Sequence, residues 1–333
     1  MSRRKHMLFV VLLPGAVLLA SAILLEGTLR FLDATRPRND QKYTWGVRIA
    51  NNRLGFRERE VDIPKPASVY RIMVLGDSLT WGVGLREPER YTALLEMRLK
   101  TFYQLHQVEV LNFASIGAST ARERDILARF APSVEPDLVI VGFCINDPQP
   151  RAMNYAVERE RYAWLLRGLY ALRYAFLSHT AMFATKRADR LLQVVGRIPS
   201  WPDALDRTYD LQAPEWGTFT AALADIVRET RARHLSPPLF MPLLSFDGDY
   251  SKPDTLLQRV LKWSHQAAAA AHAAGFETVN LEELFRAEGL RVRAVNAWDN
   301  HPDAECHSVY AKRLADAVAP IVRASLALPA SER

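Results

Sequence analysis

The run Tyr70-Arg71-Ile72-Met73-Val74-Leu75-Gly76-Asp77-Ser78 constrains the fold more than any other stretch. A β-prone apolar segment ends abruptly in a Gly-Asp-Ser turn, which predicts a buried strand over Ile72–Leu75. The pattern then alternates. Pro88–Phe102 is expected to be helical, with Leu94, Leu95, Met97 and Leu99 on its buried side. Val108–Phe113 reads as a strand and Ser119–Phe130 as a helix. Asp137–Phe143 is a continuous apolar strand, as found when both faces of a sheet are covered. Two further strands, Leu239–Leu244 and Thr278–Leu281, follow helical stretches at 217–233 and 254–273, and a last helix runs from about Cys306 to Leu326. Strand-helix alternation of this kind means βαβ units, right-handed crossovers and a parallel sheet. Ligands bind outside the carboxyl ends of such strands, where a serine hydroxyl can serve as a nucleophile. Ser78 is placed there.

Ahead of this region, Met7–Leu25 is a run of 19 residues without a charge, preceded by Ser2-Arg3-Arg4-Lys5-His6. Its length suits a membrane-spanning helix. The basic flank predicts a cytoplasmic tail at 1–6, an anchor at 7–25 and everything beyond on the outer side. A cleaved signal peptide is the alternative, because Ala20-Ser21-Ala22 has the small-x-small form of a cleavage site. Residues 26–69 read as a linker plus a packing segment, and 70–328 as the main domain, interrupted by a helical insertion at 149–216. That insertion is rich in Tyr, Leu, Trp and Arg and reads as a packed helical piece, a lid or a bilayer-resting helix. The net charge of +6 is modest for 333 residues and accompanies no nucleic-acid-binding signature. The sequence holds two cysteines, Cys144 and Cys306, too few for a disulfide scaffold. No Gly-rich phosphate cradle, metal-spaced Cys/His cluster or nicotinamide fingerprint is present, so no cofactor and no metal are expected.

Four short blocks sit where strands end or helices begin: Gly76-Asp77-Ser78, Asn112 to Thr120 with Gly117, Gly142 to Asp147 with Asn146, and Trp298-Asp299-Asn300-His301-Pro302. Acyl transfer needs a nucleophile, a base, a group that orients the base, and donors for the developing oxyanion. Ser78 can be the nucleophile and His301 the base. Asp299, two residues earlier, can project to the same side of an extended loop and accept the imidazole N–H. Backbone N–H groups of Ser78 and Gly117, with the Asn146 amide, can hold the oxyanion. An asparagine suits position 146, where a carboxylate would repel that charge. Asp303 is a second candidate acid and His307 a second candidate base. Trp81 is placed either in the core or along an acyl or sugar pocket.

In these blocks, and in their order, the chain resembles the SGNH, or GDSL-type, serine hydrolase family over roughly residues 70–325, in the form of a membrane-anchored bacterial member. The resemblance implies a flavodoxin-like three-layer α/β/α sandwich on a five-stranded parallel sheet. It implies a serine esterase working through an acyl-enzyme, with Ser78, Asp299 and His301 catalytic and Ser78, Gly117 and Asn146 forming the oxyanion hole. The chain departs from the family where Cys144 replaces the usual glycine of the third block and where Trp298 stands at the usual Asp-x-x-His aspartate. The expected substrates are acyl esters of envelope sugars or lipids, at the periplasmic face of the inner membrane. An O-acyltransferase using the same triad and a non-catalytic assembly protein are the alternatives.

Overall fold

The structure is a computed structural model and describes residues 3–149, 178–197 and 200–327. The chain divides into two compact units, one of residues 1–37 and 155–204, the other of residues 38–154 and 205–333. The division falls inside the 26–69 segment. Of the 149–216 insertion, residues 150–177, which include the aromatic run Tyr162–Phe176, lie outside the described residues, as do residues 1–2.

In the first unit, helix α1 spans Arg3–Ala34 and α5 spans Ser178–Val194. Leu12–Ala34 is long and apolar enough to cross a membrane. Glu26 on α1 is buried. Its Oε2 accepts from the Thr180 backbone N–H at 2.8 Å and from Thr180 Oγ1 at 2.9 Å. Arg30 Nε donates to its Oε1 at 2.7 Å.

The second unit is built on a five-stranded sheet of β3 (Tyr70–Gly76), β4 (Val108–Asn112), β5 (Leu138–Phe143), β6 (Leu239–Pro242) and β7 (Glu277–Thr278). Their order is β4-β3-β5-β6-β7 and every pair is parallel. Connecting helices are α2 (Ser78–Trp81), α3 (Tyr91–Thr101), α4 (Thr120–Val134), α6 (Trp201–Thr208), α7 (Pro214–Ala232), α8 (Thr255–Ala274), α9 (Glu282–Ala287) and α10 (Ala304–Ala327). All residues of β3 and β5 are buried, so their apolar runs need no alternation. This is the α/β architecture expected from the strand-helix alternation. Met97 departs from expectation. It is exposed, while Tyr91, Thr92, Leu95 and Leu99 form the buried side of α3. Position 97 lies about 200° round the helix from 95, at 100° per residue.

Two short antiparallel hairpins complete the unit. One pairs β1 (Tyr43–Thr44) with β2 (Val47–Arg48), and the other pairs β8 (Ala294–Asn296) with β9 (Asp299–Pro302). The first is closed by Trp45 and Gly46, both with positive φ, at 47° and 86°. Two positive φ values in a two-residue loop are the type I′ pattern. The segment 49–61 then packs on the domain: the buried Arg57 guanidinium donates to the Trp81, Gly82 and Leu85 carbonyls at the end of α2. It also lies 4.5 Å from the Trp81 ring centroid. Carbonyls at the end of so short a helix lack partners within it, and Arg57 supplies a donor.

Candidate active site

Strand β3 carries the chain to the carboxyl edge of the sheet, where it must turn at once into α2. Gly76 and Gly142 face each other across β3 and β5. A Cβ at Gly76 would collide with Thr80, and one at Gly142 with Thr80 and Tyr91. The two glycines therefore let α2 sit close over the strand ends. Thr80 Oγ1 and Tyr91 Oη share a hydrogen bond of 3.0 Å in that space. Asp77 caps α2, its Oδ1 accepting from the Leu79 N–H at 2.8 Å. This leaves Ser78 at the first turn with its hydroxyl pointing to hairpin β8–β9.

On that hairpin, Asp299 and His301 are two residues apart on β9, hence on one face. His301 Nε2 lies 2.8 Å from Ser78 Oγ, and His301 Nδ1 lies 2.5 Å from Asp299 Oδ1. Asp299 Oδ1 also accepts from the His301 backbone N–H at 3.0 Å. Its Oδ2 accepts from the Trp45 indole N–H at 2.7 Å. Burial pushes the Asp299 carboxyl up, but hydrogen bonds from the His301 ring and backbone, the His301 charge and the Trp45 hydrogen bond outweigh it and bring it down to about 2. An ionised carboxylate at Nδ1 holds the proton on that nitrogen and leaves Nε2 as an acceptor for the serine hydroxyl.

The second block forms a turn, with the Ala118 N–H donating to the Ser115 carbonyl at 2.9 Å. Gly117 adopts φ 70° there, a conformation that favours glycine. The third block is closed by Asp147: its Oδ2 accepts from the Cys144 N–H at 2.7 Å, and its N–H donates to the Cys144 carbonyl at 2.9 Å. Thr120 N–H donates to the Asp147 carbonyl at 3.2 Å, which ties the second and third blocks together. Asn146 is half-buried at the tip of this turn. Cys144, in place of a glycine, is buried beside this turn. Burial pushes Asp77 up. Burial and Asp77 push the neighbouring Glu123 well above the carboxylate range, with the Thr120 hydroxyl opposing. Burial, then Glu123 and Asp77, do the same to Asp147.

Ser78, Asp299 and His301 are thus brought into one hydrogen-bonded run. Asp303 is elsewhere: its Oδ1 accepts from the Cys306 N–H at 3.0 Å, at the head of α10. His307 is buried, its Nδ1 accepting from the Tyr91 N–H at 3.1 Å. Burial, with Arg90 and His301 nearby, pulls its imidazole down to about 3, so it stays neutral. Cys144 and Cys306 are both free and buried. Trp81 is buried in a small cluster with Val83 and Ala114, against which Trp45 and Ile49 pack. Trp298 is 45% exposed and stacks on Trp45, with ring centroids 6.1 Å apart and planes 12° from parallel. The residue missed from sequence is Trp45. Its one local signal was the Trp-Gly pair between short extended segments.

No curated protein matches the chain. Among solved structures it is similar to LAE5, an α/β hydrolase from the metagenome of Lake Arreo, Spain, at 16% identity over 74% of this chain and 94% of that one, with a TM-score of 0.44. It is similar to the acetyl xylan esterase AlAXEase at 14% identity, over 74% of this chain and 99% of that one, with a TM-score of 0.44. Axe2, an acetylxylan esterase from Geobacillus stearothermophilus, is 17% identical over 78% of this chain and 95% of its own, with a TM-score of 0.42. The model of the GDSL-like lipase/acylhydrolase family matches residues 74–309. That span takes in all four blocks and most of the chain, which therefore belongs to the GDSL-like lipase/acylhydrolase family and is an ester hydrolase of the SGNH type.

Proposed function

We propose that the chain cleaves acyl esters of envelope sugars or lipids through an acyl-enzyme on Ser78. The observation that carries this reading is the unbroken run from Ser78 Oγ to His301 to Asp299, at 2.8 Å and 2.5 Å. In the first half-reaction Ser78 Oγ bonds to the ester carbonyl carbon while its proton passes to His301 Nε2. Asp299 stabilises the imidazolium so formed. The carbonyl oxygen becomes an oxyanion, taken by the N–H groups of Ser78 and Gly117 and by the Asn146 amide. The bond to the alcohol oxygen then breaks, and that oxygen takes the proton from Nε2. In the second half a water gives its proton to Nε2 and attacks the acyl carbon. The acid leaves and Ser78 regains its hydrogen.

The proposed setting is the inner membrane, with α1 as a single-pass anchor and the catalytic domain periplasmic. Arg3, Arg4 and Lys5 ahead of the apolar run support that orientation. The test of the activity is Ser78→Ala assayed on p-nitrophenyl esters from acetyl to palmitoyl, with fluorophosphonate labelling in parallel. Hydrolysis and labelling are both expected to vanish while the thermal unfolding curve is kept. Full activity in the folded variant overturns the assignment. Preference for acetyl supports sugar esters, and preference for long chains supports lipid esters.

A further inference from the structure

Trp45 lies outside the family match, which begins at residue 74, yet its indole is bonded to the carboxylate that holds His301. We propose that Trp45 is a positioning residue for ester hydrolysis: its indole N–H pins Asp299 Oδ2 so that Oδ1 is presented squarely to His301. The inference rests on the reading of Ser78, His301 and Asp299 as nucleophile, base and acid.

Three independent observations point the same way. The first is the hydrogen bond itself. A carboxylate on a short polar strand can rotate about its terminal torsion, which is broad for aspartate. Asp299 has one oxygen committed to His301 and the other to Trp45, at 2.5 Å and 2.7 Å, so that rotation is closed. The second is backbone conformation. Trp45 sits at φ 47°, where a bulky side chain is rare. The first position of such a turn takes Asn, Asp or Gly without strain. Strain of this kind persists where surrounding structure over-determines it, and it concentrates at functional sites. The third is the way the hairpin is clamped. Thr44 Oγ1 accepts from the Gly84 N–H at 2.8 Å. A Cβ at Gly84 would lie 2.7 Å from Val295 and 3.5 Å from Trp45 Cδ1, so the glycine admits both hairpins. The Trp298 ring stacks almost parallel on Trp45. Packing alone accounts for an indole at this place. It does not account for a strained backbone that aims the N–H at the free oxygen of this carboxylate.

The experiment compares Trp45→Phe, Asp299→Asn and the double variant in the full-length chain, with kcat and KM measured separately. Trp45→Phe keeps a ring for the stack and deletes the donor. It is expected to lower kcat by about 10-fold with KM within about twofold, the pattern of an interaction exerted on the transition state alone. In the Asp299→Asn background the same change is expected to cost nothing further, because the carboxylate it positions is gone. A purely structural Trp45 would instead lower activity by the same factor in both backgrounds. An unchanged kcat in folded Trp45→Phe, or additive losses, overturns the proposal. A readout that needs no Trp45 variant is the set of indole N–H resonances of the seven tryptophans. Asp299→Asn is expected to move the one that donates to the carboxylate, and no movement beyond that of the Trp298 signal overturns it. If Ser78→Ala retains hydrolysis, the underlying reading of the site fails rather than this one.

Discussion

Ser78 opens α2 at the carboxyl edge of the central five-stranded sheet, whereas Asp299 and His301 stand on a two-stranded hairpin. Next to Ser78 in the chain and beneath it, Asp77, Leu79, Thr80 and the glycines of β3 and β5 are buried. Around His301 the chain is half-exposed, short and polar. Two strands alone are marginal in water, so the hairpin depends on what packs against it. Ser78 is therefore held by the fold itself. Asp299 and His301 are held by local contacts, namely those of Trp45, Gly84 and the Trp298 stack. The difference teaches that a change of packing on the sheet side should register as lost stability, and a change in the contacts of the hairpin as lost rate.

The sharpest way to break this comparison is to remove chemistry without touching packing. Ser78→Ala is expected to lower kcat by about ten-thousandfold or more. Its melting temperature should stay that of the parent chain. Asp299→Asn comes next, with a fall of about 10³–10⁴-fold from loss of the tautomer that leaves Nε2 free. Its unfolding curve should also stay put, and a large stability loss would show that the hairpin is part of the folding core. Gly142→Ala reverses the pattern. Its methyl meets Thr80 and Tyr91, and overpacking of this kind costs about 1–3 kcal/mol, read as a lowered Tm. A variant as stable as the parent would mean that α2 has room to move.

The smallest effect concerns Glu123. Its folded pKa lies well above the ordinary 4.5 because of burial and then Asp77. The folded state thus keeps a proton that the unfolded chain gives up. Stability from this group is whole below the unfolded value and is lost as pH rises towards the folded one. Glu123→Gln removes that dependence. The Tm of the variant relative to the parent is expected to rise between pH 4 and pH 8, and a constant difference would mean that Glu123 does not hold its proton.

What was legible in the sequence follows the same division. Runs such as Leu138–Phe143 announce buried parallel strands because both faces are covered and no polar residue interrupts them. The Gly-Asp-Ser turn is legible because only a tight strand-to-helix junction calls for those residue types together. Asp299-Asn300-His301-Pro302 was expected as an extended loop, and it is a strand. Its polarity and its proline hide that, since edge ribbons with few hydrogen bonds carry little propensity signal. The spacing of two between Asp299 and His301 was readable, because alternate residues of any extended chain share a side. Asp299 meets His301 where Asp303 caps a helix, and that contrast depends on where α10 begins. Trp45 was invisible for a different reason. Its contact with Asp299 spans 254 positions of sequence, and the local Trp-Gly pair announces a turn but not that contact.

Trp45 carries a practical consequence for anyone cutting this chain. A fragment begun at residue 74, where the family match starts, would keep Ser78, Gly117, Asn146, Asp299 and His301 and would still lose the Trp45 hydrogen bond to Asp299, along with Arg57 at the end of α2. The second compact unit begins at residue 38, ahead of both Trp45 and Arg57. A piece trimmed to the family outline would also lose Tyr70–Met73 of β3, the buried strand that leads into Ser78.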